Sequence, residues 1–149
     1  KYFLYVNGGE ATIRDGSIAN NTAAKNGGGL AVSNGNVTML GGAVDRNHAV
    51  TGSGGGIYVT TTGSTTVKIQ SGSISYNQNN IYGGALAVYG GDTGTITITI
   101  GLAELHPCGH NEDGDVDDGC PVIKDNTVAN GKQAFSVQLH SLKGCRFTH

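Results

Sequence analysis

The densest cluster of chemistry-bearing residues is Asn111-Glu112-Asp113-Gly114-Asp115-Val116-Asp117-Asp118-Gly119. Carboxylates at alternate positions, Asp113, Asp115 and Asp117, can wrap a hard cation with oxygen ligands, so Ca²⁺ is the one cofactor this chain suggests. The EF-hand pattern fails, however. Counted from Asp113, the sixth position is Asp118 where that loop needs Gly, and the twelfth is Lys124 where it needs Glu. The competing reading is a solvated acidic loop without metal. Cys108 and Cys120 bracket the run. A bridge between them would stabilise by about 3 kcal/mol in the chain-entropy treatment and would fit an oxidising, extracellular setting. His106 and His110 beside Cys108 are zinc-type ligands without a standard spacing, so the bridge is the stronger reading. Cys145 is then left free, or pairs with another chain or another coil.

The remaining polar residues do not assemble into a motif. Polysaccharide cleavage needs clustered carboxylates in a groove. Asp15 lies three residues before Ile18, whereas Asp45 lies one after Val44, so the two do not share a phase; Arg14, Arg46 and Arg146 are scattered. No Ser/His/Asp or Cys/His spacing carries a local signature, and the expectation is a protein without catalytic residues. The Thr-rich stretches Thr60-Thr61-Thr62, Thr65-Thr66 and Thr95/Thr97/Thr99 raise the idea of a flat hydroxyl face that orders water. Lys68, Arg14 and Tyr89 are expected to break that array, leaving ordinary strand threonines. The triplets at Asn20 and Asn36 would accept a glycan only in a glycosylating host.

Behind these residues stands a repeat. Ile74-Ser75-Tyr76-Asn77 followed by Gly83-Gly84-Ala85-Leu86-Ala87-Val88 is written also as Ile18 to Asn21 with Gly28-Gly29-Leu30-Ala31-Val32, and as Val44 to Asn47 with Gly55-Gly56-Ile57-Tyr58-Val59. It returns as Ile123 to Asn126 with Ala134-Phe135-Ser136-Val137, without the Gly pair. A first strand aligns Leu4/Val6, Leu30/Val32, Ile57/Val59, Leu86/Val88 and Phe135/Val137, at steps of 26, 27, 29 and 49. A second aligns Thr12-Ile13, Thr38-Met39, Lys68-Ile69, Thr97-Ile98 and Ser141-Leu142. Five residues on comes a third apolar position at Ile18, Val44, Ile74 and Phe147. β-Branched residues in period-two alternation mark strands, and Gly and Asn supply turns that need positive φ.

Short strands recurring at this period predict an all-β fold, a right-handed parallel β-helix of about four to five coils with one inserted loop, residues 101–120, in a single domain spanning 1–149. A single coil cannot bury its inner face, so the core must be columns of like residues. Asn21, Asn47, Asn77 and Asn126 are expected to form a ladder whose amides bond coil to coil and satisfy buried turn groups. An antiparallel sandwich would not demand the same residue types at the same phase in every repeat.

Composition agrees. Gly at 26 of 149 is far above average, but apolar residues at 37% are interleaved with it regularly, which favours folded structure over low complexity. Net charge is −2 with no basic patch, so nucleic acid is not an expected partner. No apolar run reaches the roughly 18 residues of a membrane span. The absence of a starting Met and of a leader pattern suggests a mature or excised part of a longer chain.

The strings Gly41-Gly42-Ala43-Val44 and Gly83-Gly84-Ala85-Leu86, with the aliphatic-x-x-Asn strings, resemble repeats of chlamydial polymorphic outer membrane proteins, which are adhesin or autotransporter passengers. They look closer still to the repeats of large bacterial surface proteins with right-handed β-helices. The resemblance runs from about Phe3 to Val137 and implies an extracellular or cell-surface, adhesin-like or structural role. Two features depart from it: the Phe of that family's Phe-x-x-Asn is Ile or Val here, and no barrel or anchor segment is read in this sequence. The consensus residues build coils, not a site. The expected partners are further copies of the chain, stacked through open coil ends, and a host or matrix glycan or protein. A carbohydrate-binding or carbohydrate-cleaving β-helix is the rival.

Overall fold

The computed structural model describes residues 3–90, 95–100, 122–124, 126–128, 135–139 and 145–148. Every regular element among them is a strand. The first coil holds β1 (Leu4–Asn7), β2 (Glu10–Ile13), β3 (Ser17–Ala19) and β4 (Thr22–Ala23); the second holds β5 (Leu30–Ser33), β6 (Asn36–Met39), β7 (Ala43–Asp45) and β8 (His48–Ala49). The third has β9 (Ile57–Thr61), β10 (Ser64–Ile69), β11 (Ser73–Ser75) and β12 (Gln78–Asn79). Then come β13 (Leu86–Gly90), β14 (Thr95–Ile100), β15 (Val122–Lys124), β16 (Thr127–Val128), β17 (Phe135–Leu139) and β18 (Cys145–Thr148).

Each strand pairs with its counterpart one coil away, giving four parallel sheets: β1-β5-β9-β13-β17, β2-β6-β10-β14-β18, β3-β7-β11-β15 and β4-β8-β12-β16. The molecule is therefore a parallel β-solenoid. Its backbone groups are satisfied by the neighbouring coil, about 4.8 Å away. About three coils run continuously through the described residues, fewer than the four to five expected. The fourth is interrupted by 101–121, which lie outside those residues, and β17 and β18 start another.

The inward residues of the sheets meet in one core. Leu30, Val32, Ile57, Val59, Leu86 and Val88 come from the first sheet; Val37, Met39, Val67, Ile69, Ile96 and Ile98 from the second; Val44 and Ile74 from the third. The expected first-strand register holds throughout: Leu4 faces Leu30, Leu30 faces Ile57, Ile57 faces Leu86 and Leu86 faces Phe135. So does the column Ile18, Val44, Ile74, Ile123.

Two alignments differ. Ile69 faces Ile100, and Ile98 faces Val67. The run Thr95-Ile96-Thr97-Ile98-Thr99-Ile100 has a period of two, so a shift by two keeps every Ile inward and apolarity alone cannot choose between the registers. Phe147 was expected beside Ile74, but β18 belongs to the second sheet, with Phe147 opposite Ile98. Ser141-Leu142, aligned there from sequence, lies outside the described residues.

Two glycine columns lead into the first sheet for different reasons. Gly27, Gly54 and Gly83 have φ of 68°, 69° and 65°, where an L side chain is strained. Gly28 and Gly55 are instead pressed against the next coil. A Cβ on Gly55 would lie 2.6 Å from the Gln78 carbonyl carbon and 2.7 Å from its nitrogen.

Candidate functional site

The four ladder residues come together as expected, and their geometry repeats at each step. Asn47 Oδ1 accepts from the Asn21 nitrogen and from Asn21 Nδ2, at 3.1 and 2.9 Å. Asn77 Oδ1 accepts from the same two atoms of Asn47, at 2.9 and 3.0 Å. Asn126 Oδ1 does the same for Asn77, at 2.9 Å each. The remaining amide proton of each turns back to a backbone carbonyl: Asn47 to Ile18, Asn77 to Val44 and Asn126 to Ile74, at 2.8, 2.9 and 2.8 Å. Asn47 and Asn77 are fully buried. One amide thus serves as both donor and acceptor between coils, a task no apolar side chain performs.

The residue before Asn21, Asn47 and Asn77 is left-handed: Asn20, Arg46 and Tyr76 have φ of 58°, 50° and 54°. Asn tolerates this region, whereas Arg and Tyr are strained by about 1–2 kcal/mol. The corner returns part of that cost. Arg46 pairs with Asp45, and its guanidinium carbon stands 5.2 Å from the Tyr76 ring centroid one coil on, a cation–π contact worth about 0.5–1 kcal/mol at an exposed site. His48 and Gln78 complete a shallow cavity of about 330 Å³ there.

A second asparagine clamp was not anticipated. Asn34 Oδ1 accepts from Thr61 Oγ1, the Thr62 nitrogen and the Gly63 nitrogen, each at 2.9 Å. The Asn34 nitrogen donates to Thr65 Oγ1 at 2.8 Å, and Thr65 Oγ1 donates to the Thr60 carbonyl at 3.0 Å. Thr61 and Thr65 are buried, so two threonines of the Thr-rich segment are corner fasteners instead of surface residues. On the outer face of the second sheet, Thr12, Thr38, Lys68 and Thr99 form one column and Glu10, Asn36, Thr66 and Thr97 the next. Lys68 and Glu10 interrupt the hydroxyl array. Arg14 follows the end of β2 and Tyr89 lies on another sheet, so neither is part of it.

The outer face of the first sheet carries a run of aromatic residues. Its central column reads Tyr5, Ala31, Tyr58, Ala87, large and small by turns. Ala31 and Ala87 point outward and yet are only 2% and 4% exposed. Beside Ala87, Tyr58, Tyr82, Tyr89 and Ile81 enclose a groove of about 340 Å³, with Asn26 and Ser53 also lining it. Tyr82, Tyr89 and Ile81 remain 42%, 37% and 43% exposed.

Asp113, Asp115 and Asp117, Cys108 and Cys120, and His106 and His110 all lie outside the described residues. Among the described residues, no group of three or more His, Cys, Asp or Glu is placed to hold a metal, and no helix is long and apolar enough to cross a membrane. No family model, curated protein or solved structure matches the chain. Fold and ladder together define a parallel β-solenoid.

Proposed function

We propose that the protein is a structural, adhesin-like β-solenoid of the extracellular space or cell surface, acting as a shaft segment or as the subunit of an end-to-end filament. The observation that supports this reading is the asparagine ladder, which ties four successive coils through the same pair of bonds at each step. Such a column resists shear between coils, because sliding one coil breaks the amide bonds above and below it together. The coil-to-coil stacking that builds one molecule is also what a second copy would continue, so self-association uses the ladder geometry without a new interface.

Electron microscopy of the purified protein and of the native material, with light scattering over a concentration series, tests this. Rods, or fibres about one solenoid wide, are expected. Compact monomers at every concentration, with no fibres in native material, would remove the filament role.

A further inference from the structure

We propose that the tyrosine-lined groove of the first sheet is a binding site for a neutral oligosaccharide. This gives the adhesin reading a ligand class and rests on it for its biological setting.

The lining supports that class of ligand. Tyr58, Tyr82 and Tyr89 line it with aromatic rings, whose faces carry negative quadrupole density. The C–H face of a pyranose ring is apolar and slightly positive, so it packs against such faces, while its hydroxyls need donors and acceptors at the rim. Asn26 and Ser53 line the groove. Asn26 Oδ1 is engaged by the Ser53 nitrogen at 2.9 Å, while the Asn26 Nδ2 and Ser53 hydroxyl donors have no protein partner among the described residues. The described lining is aromatic, aliphatic and uncharged polar, which suits a neutral ligand. About 340 Å³ falls at the small end of ligand sites, the scale of one or a few sugar units rather than a protein surface.

The site is also pre-shaped. The Tyr82 carbonyl is held by the Gly54 nitrogen at 2.9 Å and by Asn79 Nδ2. Tyr58 stands on β9 directly opposite Ala87 of β13, and both line the groove. Tyr58, Ala87 and Tyr89 stand on strands, and lining fixed in this way loses little freedom on binding.

The test is a glycan array followed by calorimetry with neutral oligosaccharides, on the native chain and on Tyr82→Ala, Tyr89→Ala and Ala87→Leu. All three positions face outward, and circular dichroism confirms that each variant keeps its fold. The native chain is expected to bind at least one neutral oligosaccharide at millimolar affinity or better. Either Tyr variant should weaken binding tenfold or more, and Ala87→Leu, which fills the groove without removing a ring, should abolish it. Thr12→Ala, on another face, should leave it unchanged. No neutral glycan bound at millimolar concentration, binding of charged glycans or proteins alone, or equal affinity in the Ala87→Leu variant would overturn the proposal. Rods or fibres seen with no glycan bound would remove this site and leave the shaft reading standing.

Discussion

Replacing Asn77 by Ala removes four hydrogen bonds from the centre of the ladder. The Asn47 nitrogen and one Asn47 Nδ2 proton lose their acceptor, while the Val44 carbonyl and Asn126 Oδ1 lose a donor. Asn126 Oδ1 keeps the Asn77 nitrogen and the Val44 carbonyl keeps its place in the parallel ladder, so the Asn47 nitrogen and one Asn47 Nδ2 proton are left with no partner in a fully buried place. Each buried unsatisfied group costs about 1–3 kcal/mol, and a water entering the vacated space recovers part of it. The expected loss is about 2–5 kcal/mol, a large share of the roughly 5–15 kcal/mol that keeps a domain folded. Asn21→Ala is the internal control. Asn21 is partly exposed, and its side chain makes only two bonds, to the Ala19 carbonyl and Asn47 Oδ1, so about 1 kcal/mol is expected. Urea unfolding followed by circular dichroism and tyrosine fluorescence, in a chain without Trp, measures both. A loss below about 2 kcal/mol at Asn77, or equal losses at the two positions, would refute the argument that buried ladder bonds hold the coils. Asn77→Asp adds a pH signature. Burial raises the new carboxyl's folded pKa above its unfolded value of about 3.9. The folded state then binds more protons between those two values, so stability falls as pH rises through that window. This variant should be closest to native stability near pH 4 and weakest near pH 7.

Glycine substitutions should separate by cause. Gly63→Ala, with an ordinary φ and Asn34 Oδ1 3.5 Å from the added Cβ, is expected to be nearly neutral. Gly16→Ala, in open space at φ 86°, should cost about 1 kcal/mol. Gly55→Ala, driven into the Gln78 backbone, should cost about 3 kcal/mol or more; a different order in thermal melts would contradict the packing described. Asn34→Ala should cost about 2–3 kcal/mol, because three donors lose one acceptor and Ala is strained at φ 53°. Asn34→Asp keeps that oxygen and should stay within about 0.5 kcal/mol of native; equal losses would show that the clamp is not an acceptor site. A Cys108–Cys120 bridge should appear as a linked peptide pair in a non-reducing map, with about 3 kcal/mol lost on reduction. Recovery of both as free thiols would remove it.

How much of this was legible in the sequence depends on how each feature is encoded. The ladder was legible because Asn21, Asn47, Asn77 and Asn126 recur at one phase, so finding one predicts its neighbours. The first-sheet and third-sheet columns were legible for the same reason. The second sheet was not, at β14, where an unbroken Thr-Ile alternation fits two registers equally well. Arg46 and Tyr76 gave no sign of left-handed backbone, since neither type favours it; only their place before a ladder Asn marks them. The Asn34 clamp joins residues from two coils and has no counterpart at the same phase among the described residues of the others. The tyrosine groove was hidden differently. Once Leu30, Ile57 and Leu86 are aligned, Tyr58 and Ala87 fall opposite one another. The contrast between a large and a small outward residue carries meaning only across coils.

The spacing of the ladder residues has a consequence for how such a chain can change over generations. Successive asparagines lie 26, 30 and 49 positions apart, yet the amide bonds joining them stay between 2.9 and 3.0 Å. Length added at a corner is therefore paid for only in loop closure, about 0.6 kcal/mol for each doubling, and the columns do not register it. Selection can lengthen, shorten or rewrite the stretch between β14 and β15 while the inward residues stay under their own separate constraint. The same corner is where a foreign peptide could be grafted with the least disturbance to the core.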